Sequence, residues 1–265
     1  MAFLLFAFLR ETKTRYMKYI LIACLLLACN RKTKTDEIAI SAPRPPLDTI
    51  TQRPAHLSAK PLLFEGAFIK GSTDMQRKVK LTFFGITIGN IKIPSGKIIA
   101  CDPMNIDEYG IAFTQSFPTG EFPVEVAVAT MVDAEEIAFA RIKFSEAPVE
   151  RWEFALKPGE EALPIWGKKM RGYSTDSGTG VYLDETANKP LERDEVTDMD
   201  RGIYTEMEKN ARGGWRFAMY KYGQHNLAAH TTGFGDGFFA TYIGYDAQGR
   251  PCRLLTDFGL VDWNK

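Results

Sequence analysis

The sequence predicts an α+β fold that is mostly antiparallel β, with two β repeats in a pseudo-two-fold arrangement and two helical insertions. The pattern Ser-Gly, five residues, Asp occurs twice, at residues 95–102 and 177–184. Each copy is followed by a glycine with an aromatic residue two positions later, at 120–122 and 237–239, and then by an apolar run that ends in Phe. The common order favours a duplicated β unit over chance similarity between short β-turn-β segments.

The N-terminal segment is typical of an export signal and is kept out of the fold. Met17 is either the true start or part of a longer charged region, and Lys18 is followed by apolar residues 19–28. This apolar segment is too short to cross a bilayer of about 30 Å as a helix. The sequence therefore predicts a signal peptide over residues 1–28.

The four cysteines separate by position. Leu-Leu-Ala before Cys29 resembles the lipobox of bacterial lipoproteins, in which the cysteine carries the lipid; the alternative is an ordinary signal peptide with a chance cysteine. We therefore expect a lipid-anchored protein of the bacterial cell envelope, on the periplasmic side or at the cell surface. Cys24 lies in the signal, and Cys101 and Cys252 remain in a compartment that permits a disulfide. Because these two occupy different places in the repeats, we expect two buried thiols instead.

The charge balance argues against a nucleic-acid partner. Residues 1–28 hold four of the 33 Lys and Arg residues and one of the 33 Asp and Glu residues, so the exported chain would carry 29 basic and 32 acidic residues. Phosphate backbones are bound by basic faces, which this balance does not favour. The expected partners are the membrane, through the lipid, and an envelope protein or a glycan.

The exported chain divides into a tether and one folded domain. Residues 29–60 carry the lipidated cysteine and a polar, proline-rich segment without apolar periodicity, which predicts a disordered tether. For its last ten residues the alternative is an arm packed on the domain. Residues 61–265 form a single β-rich domain, with the first repeat at about 93–145 and the second at about 173–259.

The first half of the domain reads as strands. Residues 79–83 alternate with period two, and Gly89-Asn90 between two short apolar runs predicts a two-residue hairpin. Asp102-Pro103 is a stop signal for the strand before it. The further strands predicted in this half are 96–101, 122–130 and 137–144.

The second half contains both predicted helices. The apolar spacing over 148–157 predicts a short helix, and the charged, apolar-periodic segment 185–214 predicts a second one. The tail that includes Trp263 is expected to pack back on the domain. The strands predicted in this half are 215–220, 238–245 and 253–258.

The motifs of residues 93–258 resemble a bacterial family known as domain of unknown function 4241. The segment 239–241 departs from the family pattern, which usually places aromatic-Pro-Val there. The family brings no known activity or cofactor, so the resemblance implies a fold and leaves the function open. The residues that carry it are 95–96 with 101–103, 120–124, 151–153, 176–180 with Asp184, and 233–237.

The glycine-rich run 233–237 is a candidate ligand or metal loop. Its three glycines allow positive φ angles or a close approach of the backbone to a ligand. Gly235 and Gly237 would present Asp236 at the tip. The alternative is a tight turn whose aspartate caps backbone amides. The glycine spacing fits neither a Rossmann nor a P-loop motif.

Aspartates recur near predicted strand ends, at positions 102, 176, 184, 236 and 257. If the repeats pack about a two-fold axis, Asp102 and Asp184 lie at equivalent positions. Two facing carboxylates bind a divalent cation through oxygen or divide acid and base roles. The alternative is that each aspartate ends its strand by accepting backbone hydrogen bonds. Apart from this cation, no cofactor is predicted.

The histidines give little support to a nucleophilic enzyme. His230 lies six residues before Asp236 and is a candidate ligand, and a thiol pair of Cys101 with His230 is conceivable. However, the chain has no Gly-x-Ser-x-Gly elbow, and its histidines lack the spacing of zinc ligands.

Two functions remain. The favoured one is an envelope binding or interaction module of unknown ligand, with exposed aromatic residues available to stack on a glycan unless they fill the β core. The alternative is a metal-dependent or carboxylate-based hydrolase of the envelope, which requires Asp102, Asp184 and Asp236 to meet in one pocket with His230. The candidate ligand-binding residues are Asp102, Asp176, Asp184, His230, Gly235, Asp236 and Gly237.

Overall fold

The computed structural model of the protein describes residues 57–264. The predicted signal peptide, Cys29 and most of the predicted tether lie outside that range. Within it the fold is mostly antiparallel β with few, short helices, which confirms the predicted fold class at this level. No helix among the described residues is long and apolar enough to cross a membrane.

The described strands form two antiparallel sheets, A and B. The strands of sheet A are β1 (Thr73–Gln76), β2 (Val79–Ile93), β4 (Gly120–Thr130), β5 (Glu135–Lys143), β6 (Arg151–Phe154), β7 (Gly172–Thr175), β11 (Gly237–Tyr245) and β12 (Pro251–Asp257). The strands of sheet B are β3 (Ile98–Cys101), β8 (Thr179–Asp184), β9 (Phe217–Tyr222) and β10 (His225–Thr231). Sheet A has the order β1-β2-β4-β5-β12-β11, and the far edge of β11 pairs with β7 and then β6; sheet B has the order β3-β8-β10-β9.

The sheets and helices stack in layers. Apolar side chains of both sheets, among them Ile91, Val126 and Tyr182, form one core between them. A second core covers the outer face of sheet A, and a third lies between sheet B and the helices. The helices are α1 (Leu63–Gly66), α2 (Ile106–Tyr109), α3 (Glu185–Asn188), α4 (Arg193–Val196) and α5 (Ile203–Glu208), with a 3-10 turn at Pro103–Asn105.

The predicted hairpin at Gly89-Asn90 is wrong, because β2 runs through it. The strand pairs with β4 on both sides of this point, with a register shift between Thr87 and Gly89. A Cβ atom on Gly89 would lie 2.4 Å from Cγ of Met219 in sheet B. The glycine therefore admits a side chain of the other sheet, and the strand does not turn.

The predicted helix over 148–157 is also wrong, because the segment contains β6. Trp152 and Phe154 are both buried under the outer face of sheet A, and Phe154 stacks on Tyr242 with ring centroids 4.9 Å apart. A strand that is buried on both faces has apolar residues at many spacings, including those of a helix. Periodicity alone therefore could not separate the two.

The second predicted helix, over 185–214, is divided into α3, α4 and α5. Pro190 follows α3 and cannot donate a backbone hydrogen bond. The Asp198 carboxylate accepts from the backbone N of Asp200 at 2.9 Å, which forms a turn before α5. Met199, expected on the buried face, is 76% exposed as a result.

Two more differences concern segments with weak signals. Strand β10 lies between β8 and β9 in sheet B but was not predicted, because its asparagine and its two alanines have low β propensity. Residues 57–60, placed in the tether, pack on the domain: Ala59 and Trp152 exchange backbone hydrogen bonds of 3.3 and 2.7 Å. For these residues the arm is the observed alternative.

Both chain ends of the described domain meet on the outer face of sheet A. Phe64 in α1 packs against Trp263 of the tail with ring centroids 4.8 Å apart, so the tail returns to the domain as expected. Glu65 accepts from Nη1 of Arg141 at 2.8 Å and from Nη2 of Arg253 at 3.3 Å, and both arginines are buried. Helix α1 is therefore fixed to sheet A by packing and by charge.

Candidate functional site

Asp102 holds the turn that carries the chain from sheet A to sheet B. Strand β7 belongs to sheet A and β8 to sheet B, and residues 176–178 (the Ser177 turn) connect them. Asp102, directly after β3, accepts from the backbone N of Asp176 at 2.7 Å and of Ser177 at 2.9 Å, and from Ser177 Oγ at 2.8 Å. It also accepts from Met104 N at 2.7 Å, which begins the 3-10 turn.

Asp184 makes the same kind of contact with the other motif. Residues 94–97 (the Ser95 turn) carry the chain from β2 in sheet A to β3 in sheet B. Asp184, at the end of β8, accepts from the backbone N and Oγ of Ser95 at 3.0 and 2.7 Å. It also accepts from Thr186 N and Oγ1 at 2.8 and 2.6 Å, which begins α3.

The glycines of the two motifs are required by these turns. Gly96 has φ +71° and Gly178 has φ +61°, a left-handed conformation that other residues rarely adopt. Each Ser-Gly pair thus forms a turn between sheets, and each aspartate fixes the turn of the other motif. The repeated pattern has a structural explanation that involves no ligand.

Asp102 and Asp184 lie at opposite ends of the β3–β8 pair. Cys101 pairs with Val181 and Ile98 pairs with Asp184, so the two carboxylates are separated by about four residues along the strands. At about 3.3 Å per residue this is roughly 13 Å, too far to share one cation at ligand distances near 2.4 Å. The structure therefore does not bring Asp184 together with the other candidate residues.

The glycine-rich run 233–237 packs against the Ser177 turn. A Cβ atom on Gly178 would lie 3.3 Å from Cα of Gly235 and 3.9 Å from Oδ1 of Asp236. Gly237 begins β11 and pairs with Thr175, the residue before the turn. Asp102, Asp176 and the glycine-rich run thus meet at one end of sheet B.

An open cleft of about 470 Å³ lies at this end, on the helix side of sheet B. We call it the Ser177 cleft. Its walls come from the Ser177 turn, the 3-10 turn, helix α5 with the turn before it, and the residue before β9. The residues that line it are Met104, Asp176, Ser177, Met199, Tyr204, Thr205, Glu208 and Arg216.

The cleft combines apolar and polar groups. Met104 and Met199 are 44% and 76% exposed. Arg216 pairs with Glu208, and Asp176 accepts a 3.4 Å hydrogen bond from Asn105. The cleft thus offers two exposed methionines beside charged residues that are already paired.

Tyr204 contributes a polar atom without a partner. Its hydroxyl is buried and has no hydrogen-bond partner among the described residues. Burial raises the pKa of this hydroxyl above its ordinary value, and a contact with the Ser177 side chain that is not a regular hydrogen bond in distance or angle lowers it by less. The group is therefore a neutral hydroxyl that is able to donate to a bound molecule.

His230 does not line the cleft. It is fully buried between the sheets, where its ring lies 5.4 Å from that of Tyr182 and 5.3 Å from that of Phe258. Burial lowers the pKa of His230 to about 4, so the ring is neutral at pH 7. His230 is therefore not among the residues that line the cleft with Asp176.

The cysteines are free and buried. Cys101 packs under the helices on the outer face of sheet B, while Cys252 belongs to the core on the outer face of sheet A. The intervening sheets rule out a disulfide. Burial raises the pKa of Cys101 to about 12, and its side chain points away from His230, so the two form no thiolate nucleophile pair.

The described residues contain no group of three or more His, Cys, Asp or Glu side chains that could hold a metal ion. The oxygens of Asp102 already accept four hydrogen bonds from the protein. Asp257, the remaining aspartate of the predicted set, accepts from Gly259 N at 2.9 Å and from Trp263 Nε1 at 2.7 Å on the far side of sheet A. The contacts of both are typical of strand-end caps.

Sequence reasoning found one wall of the cleft and missed the others. Asp176 was a candidate, and Ser177 was part of the repeated motif. Tyr204, Glu208 and Arg216 were not singled out, because they were assigned to one continuous helix and the strand after it. The turn before α5 brings them to the Ser177 turn, and no local signal predicts that contact.

The chain belongs to the family described as Protein of unknown function (DUF4241), whose profile matches residues 91–256. This confirms the resemblance expected from the motifs. The match includes both sheet-crossing turns and the lining of the cleft. No curated protein and no solved structure has significant similarity to the chain.

Proposed function

We propose that the protein is a lipid-anchored binding module of the bacterial cell envelope and that its ligand site is the Ser177 cleft. The observation that carries the proposal is the presence, in one cleft, of exposed Met104 and Met199 beside the buried, unpartnered hydroxyl of Tyr204. Exposed apolar side chains that line one cleft favour an interaction site, and a buried hydroxyl without a regular hydrogen bond is able to bond a ligand. A bound ligand would supply both kinds of contact.

The chemistry of the cleft favours a peptide segment of an envelope protein as ligand. Methionine side chains are flexible and adapt to different apolar partners, so Met104 and Met199 suit an apolar side chain. The Tyr204 hydroxyl would donate to a backbone carbonyl. Asp176 and the Arg216–Glu208 pair would fix the polar atoms of the peptide at the rim.

Photo-cross-linking in cells that produce the protein tests this site. A photoreactive phenylalanine analogue at position 199 is expected to cross-link to a defined envelope protein. The same analogue at position 62 is the control, since Leu62 is 88% exposed and precedes α1 on the outer side of sheet A. Tyr204→Phe, which removes only the hydroxyl, should weaken the cross-link at 199. Equal products at 62 and 199, or none at 199, would contradict the proposal.

The lipid anchor is proposed from the sequence alone. Growth with a labelled fatty acid should label the wild-type protein and not Cys29→Ser. The wild-type protein should also sediment with membranes, from which detergent releases it. Fatty-acid label that persists in Cys29→Ser would assign the lipid elsewhere and remove this part of the proposal.

We also infer that the β body consists of two units related by an approximate two-fold axis. The order β2-β4-β5-β12-β11-β7 supports this, because the second half repeats the roles of the first in reverse. The β3–β8 pair is centred on Ala100 opposite Tyr182, which hold the same position in the two motifs. In a crystal structure of the protein, β2 to β5 should superpose on β7, β8, β11 and β12; failure to do so would refute the relation.

A further inference from the structure

Three polar atoms between the sheets have no hydrogen-bond partner among residues 57–264: Tyr173 Oη, Thr175 Oγ1 and His230 Nε2. The three residues are 2%, 1% and 0% exposed. Buried polar atoms in proteins are nearly always paired, with protein or with ordered water. Three such atoms in one region therefore point to a bound molecule that the protein groups share.

Gly180 shows how close two of these side chains come. A Cβ atom on this glycine of β8 would lie 2.4 Å from Tyr173 Oη and 2.9 Å from His230 Cε1. Because Cε1 is bonded to Nε2, the two polar atoms border the same small region beside the Gly180 backbone. Thr175 lies two residues after Tyr173 on β7, so its side chain points to the same side of the strand.

The two atoms are complementary in hydrogen bonding. His230 Nδ1 lies 3.3 Å from the carbonyl oxygen of Thr231, which only accepts, so this contact assigns the proton to Nδ1 and leaves Nε2 as an acceptor. The Tyr173 hydroxyl is a donor. Tyr173 Oη and His230 Nε2 do not form a direct hydrogen bond with each other. A molecule that accepts from one and donates to the other would satisfy both.

We infer that one water molecule is bound between Tyr173 Oη and His230 Nε2, in an enclosed site between the sheets. A buried water typically makes about three hydrogen bonds, and Thr175 Oγ1 is a further buried atom without a partner on this side of β7. The glycine-rich run closes this end of the core, since a Cβ atom on Gly233 would lie 3.3 Å from Cβ of Phe258, whose ring contacts His230. The site thus lies behind the Ser177 turn and is independent of the proposed cleft function.

Electrostatics favours water over an ion. Burial keeps His230 neutral at pH 7 by lowering its pKa to about 4. Burial, the largest effect, also raises the pKa of the Tyr173 hydroxyl, and a contact with the Thr256 side chain that is not a regular hydrogen bond in distance or angle lowers it by less, so this group is neutral as well. Neutral donors and acceptors without a nearby unpaired charge hold a neutral molecule.

Replacing Tyr173 by Phe distinguishes a bound water from an isolated hydroxyl. If the hydroxyl binds water, Tyr173→Phe breaks a hydrogen bond and should lower Tm by about 2–6 °C. If the hydroxyl is unpaired, its removal relieves a desolvation cost, and Tm should stay the same or rise, which would overturn the inference. Tyr182→Phe calibrates the loss, because the Tyr182 hydroxyl bonds Thr256 Oγ1 at 2.8 Å and the Ala140 carbonyl at 3.1 Å.

A high-resolution crystal structure supplies the second measurement. Electron density for one water within hydrogen-bond distance of Tyr173 Oη and His230 Nε2, and lost in Tyr173→Phe, is the expected result. A direct hydrogen bond from Tyr173 to His230 or to the Thr256 hydroxyl would also lower Tm in the variant, but it would leave no water between Tyr173 and His230 and would overturn the inference. Both outcomes are independent of any ligand in the cleft.

Discussion

The two ends of the β3–β8 pair have the same arrangement in different surroundings. At each end an aspartate accepts hydrogen bonds from the Ser-Gly turn of the other motif, and we call this arrangement the clamp. At one end Asp184 fixes the Ser95 turn, and Lys97 donates to the carbonyl oxygens of Thr114 and Gln115 at 2.6 and 3.1 Å, which covers the turn. At the other end Asp102 fixes the Ser177 turn, which borders an open cleft. The clamp is therefore a requirement of the fold, while the cleft depends on the helical segment between β8 and β9.

The largest expected effect comes from removing the support of the Ser95 turn. A chain restricted to the family match, residues 91–256, lacks α1, β1 and most of β2. It exposes the core under sheet A and leaves Arg141 and Arg253 without Glu65. We expect no cooperative unfolding transition by near-ultraviolet circular dichroism.

The matched control is a chain that begins at residue 57 and retains all described elements. It should unfold cooperatively, since the cores are made by residues within 57–264. A cooperative transition in the 91–256 chain would show that the Ser95 end does not need β2 and its neighbours.

The next effect compares the two clamps directly. Asp102→Ala and Asp184→Ala each leave four hydrogen-bond donors without their acceptor. At a net contribution of about 1 kcal/mol for each hydrogen bond, we expect each to lower the free energy of unfolding by about 4 kcal/mol. Urea unfolding measures both, and the two losses should agree within about 1 kcal/mol.

Cross-linking from position 199 separates the clamps functionally. It should fall in Asp102→Ala, whose turn lines the cleft, and persist in Asp184→Ala under conditions where both variants are folded. Unequal stability losses, or equal effects on cross-linking, would break the comparison.

A smaller effect concerns stability in acid. Of the two ends of the β3–β8 pair, only the end with the Ser177 turn has a buried histidine beside it. The pKa of His230 is depressed to about 4 in the folded state from 6.5, so the unfolded chain binds the proton first as pH falls. His230 therefore costs stability progressively below pH 6.5, by about 2 kcal/mol at pH 5 relative to pH 7. His230→Phe should lose this dependence.

Asp257 acts with the opposite sign in an overlapping range. Burial raises its pKa from 3.8 to about 6, so the folded state binds the proton first and gains stability as pH falls from 7 to 5, by about 1 kcal/mol. Asp257→Asn should therefore be more sensitive to acid than the wild type. Urea unfolding at pH 7 and pH 5 measures both variants, and identical pH slopes in the three proteins would contradict the assignment.

The smallest expected effect on stability lies in the cleft itself. Met199 is 76% exposed, and exposed substitutions usually change the free energy of unfolding by less than about 0.5 kcal/mol. Met199→Glu should leave Tm nearly unchanged and reduce cross-linking from a second cleft position, 104. A large fall in Tm would mean that Met199 serves the fold.

The sequence predicted the elements whose signals are local. The strand at 96–101 and its stop at Asp102-Pro103 were correctly predicted, because an aspartate at a strand end acts over a few residues. The prediction of a hairpin at Gly89 was wrong, because this glycine makes room for the side chain of Met219 in the other sheet. The prediction of a helix over 148–157 was also wrong, because a strand that is buried on both faces lacks the alternation of apolar and polar residues that identifies a strand.

The site was predictable only in part. Asp176 was a candidate, and Asp102 reaches the site through hydrogen bonds to its backbone and to Ser177. Asp184 was grouped with them because equivalent positions were expected to face each other, but an antiparallel pair places them at opposite ends. Tyr204 enters the cleft through a break in the helical segment, which depends on the Asp198 turn.

Because Phe64 and Trp263 are in contact, the two ends of the described domain lie close together. Fraying from either terminus removes an aromatic side chain from the same cluster. Backbone amides near the two ends should therefore have similar protection factors in hydrogen exchange. Joining them by a short linker and opening the chain at the exposed loop near Gly213 would give a circular permutant with the same sheets. If this permutant folds, the same architecture can form from more than one order of the strands along the chain.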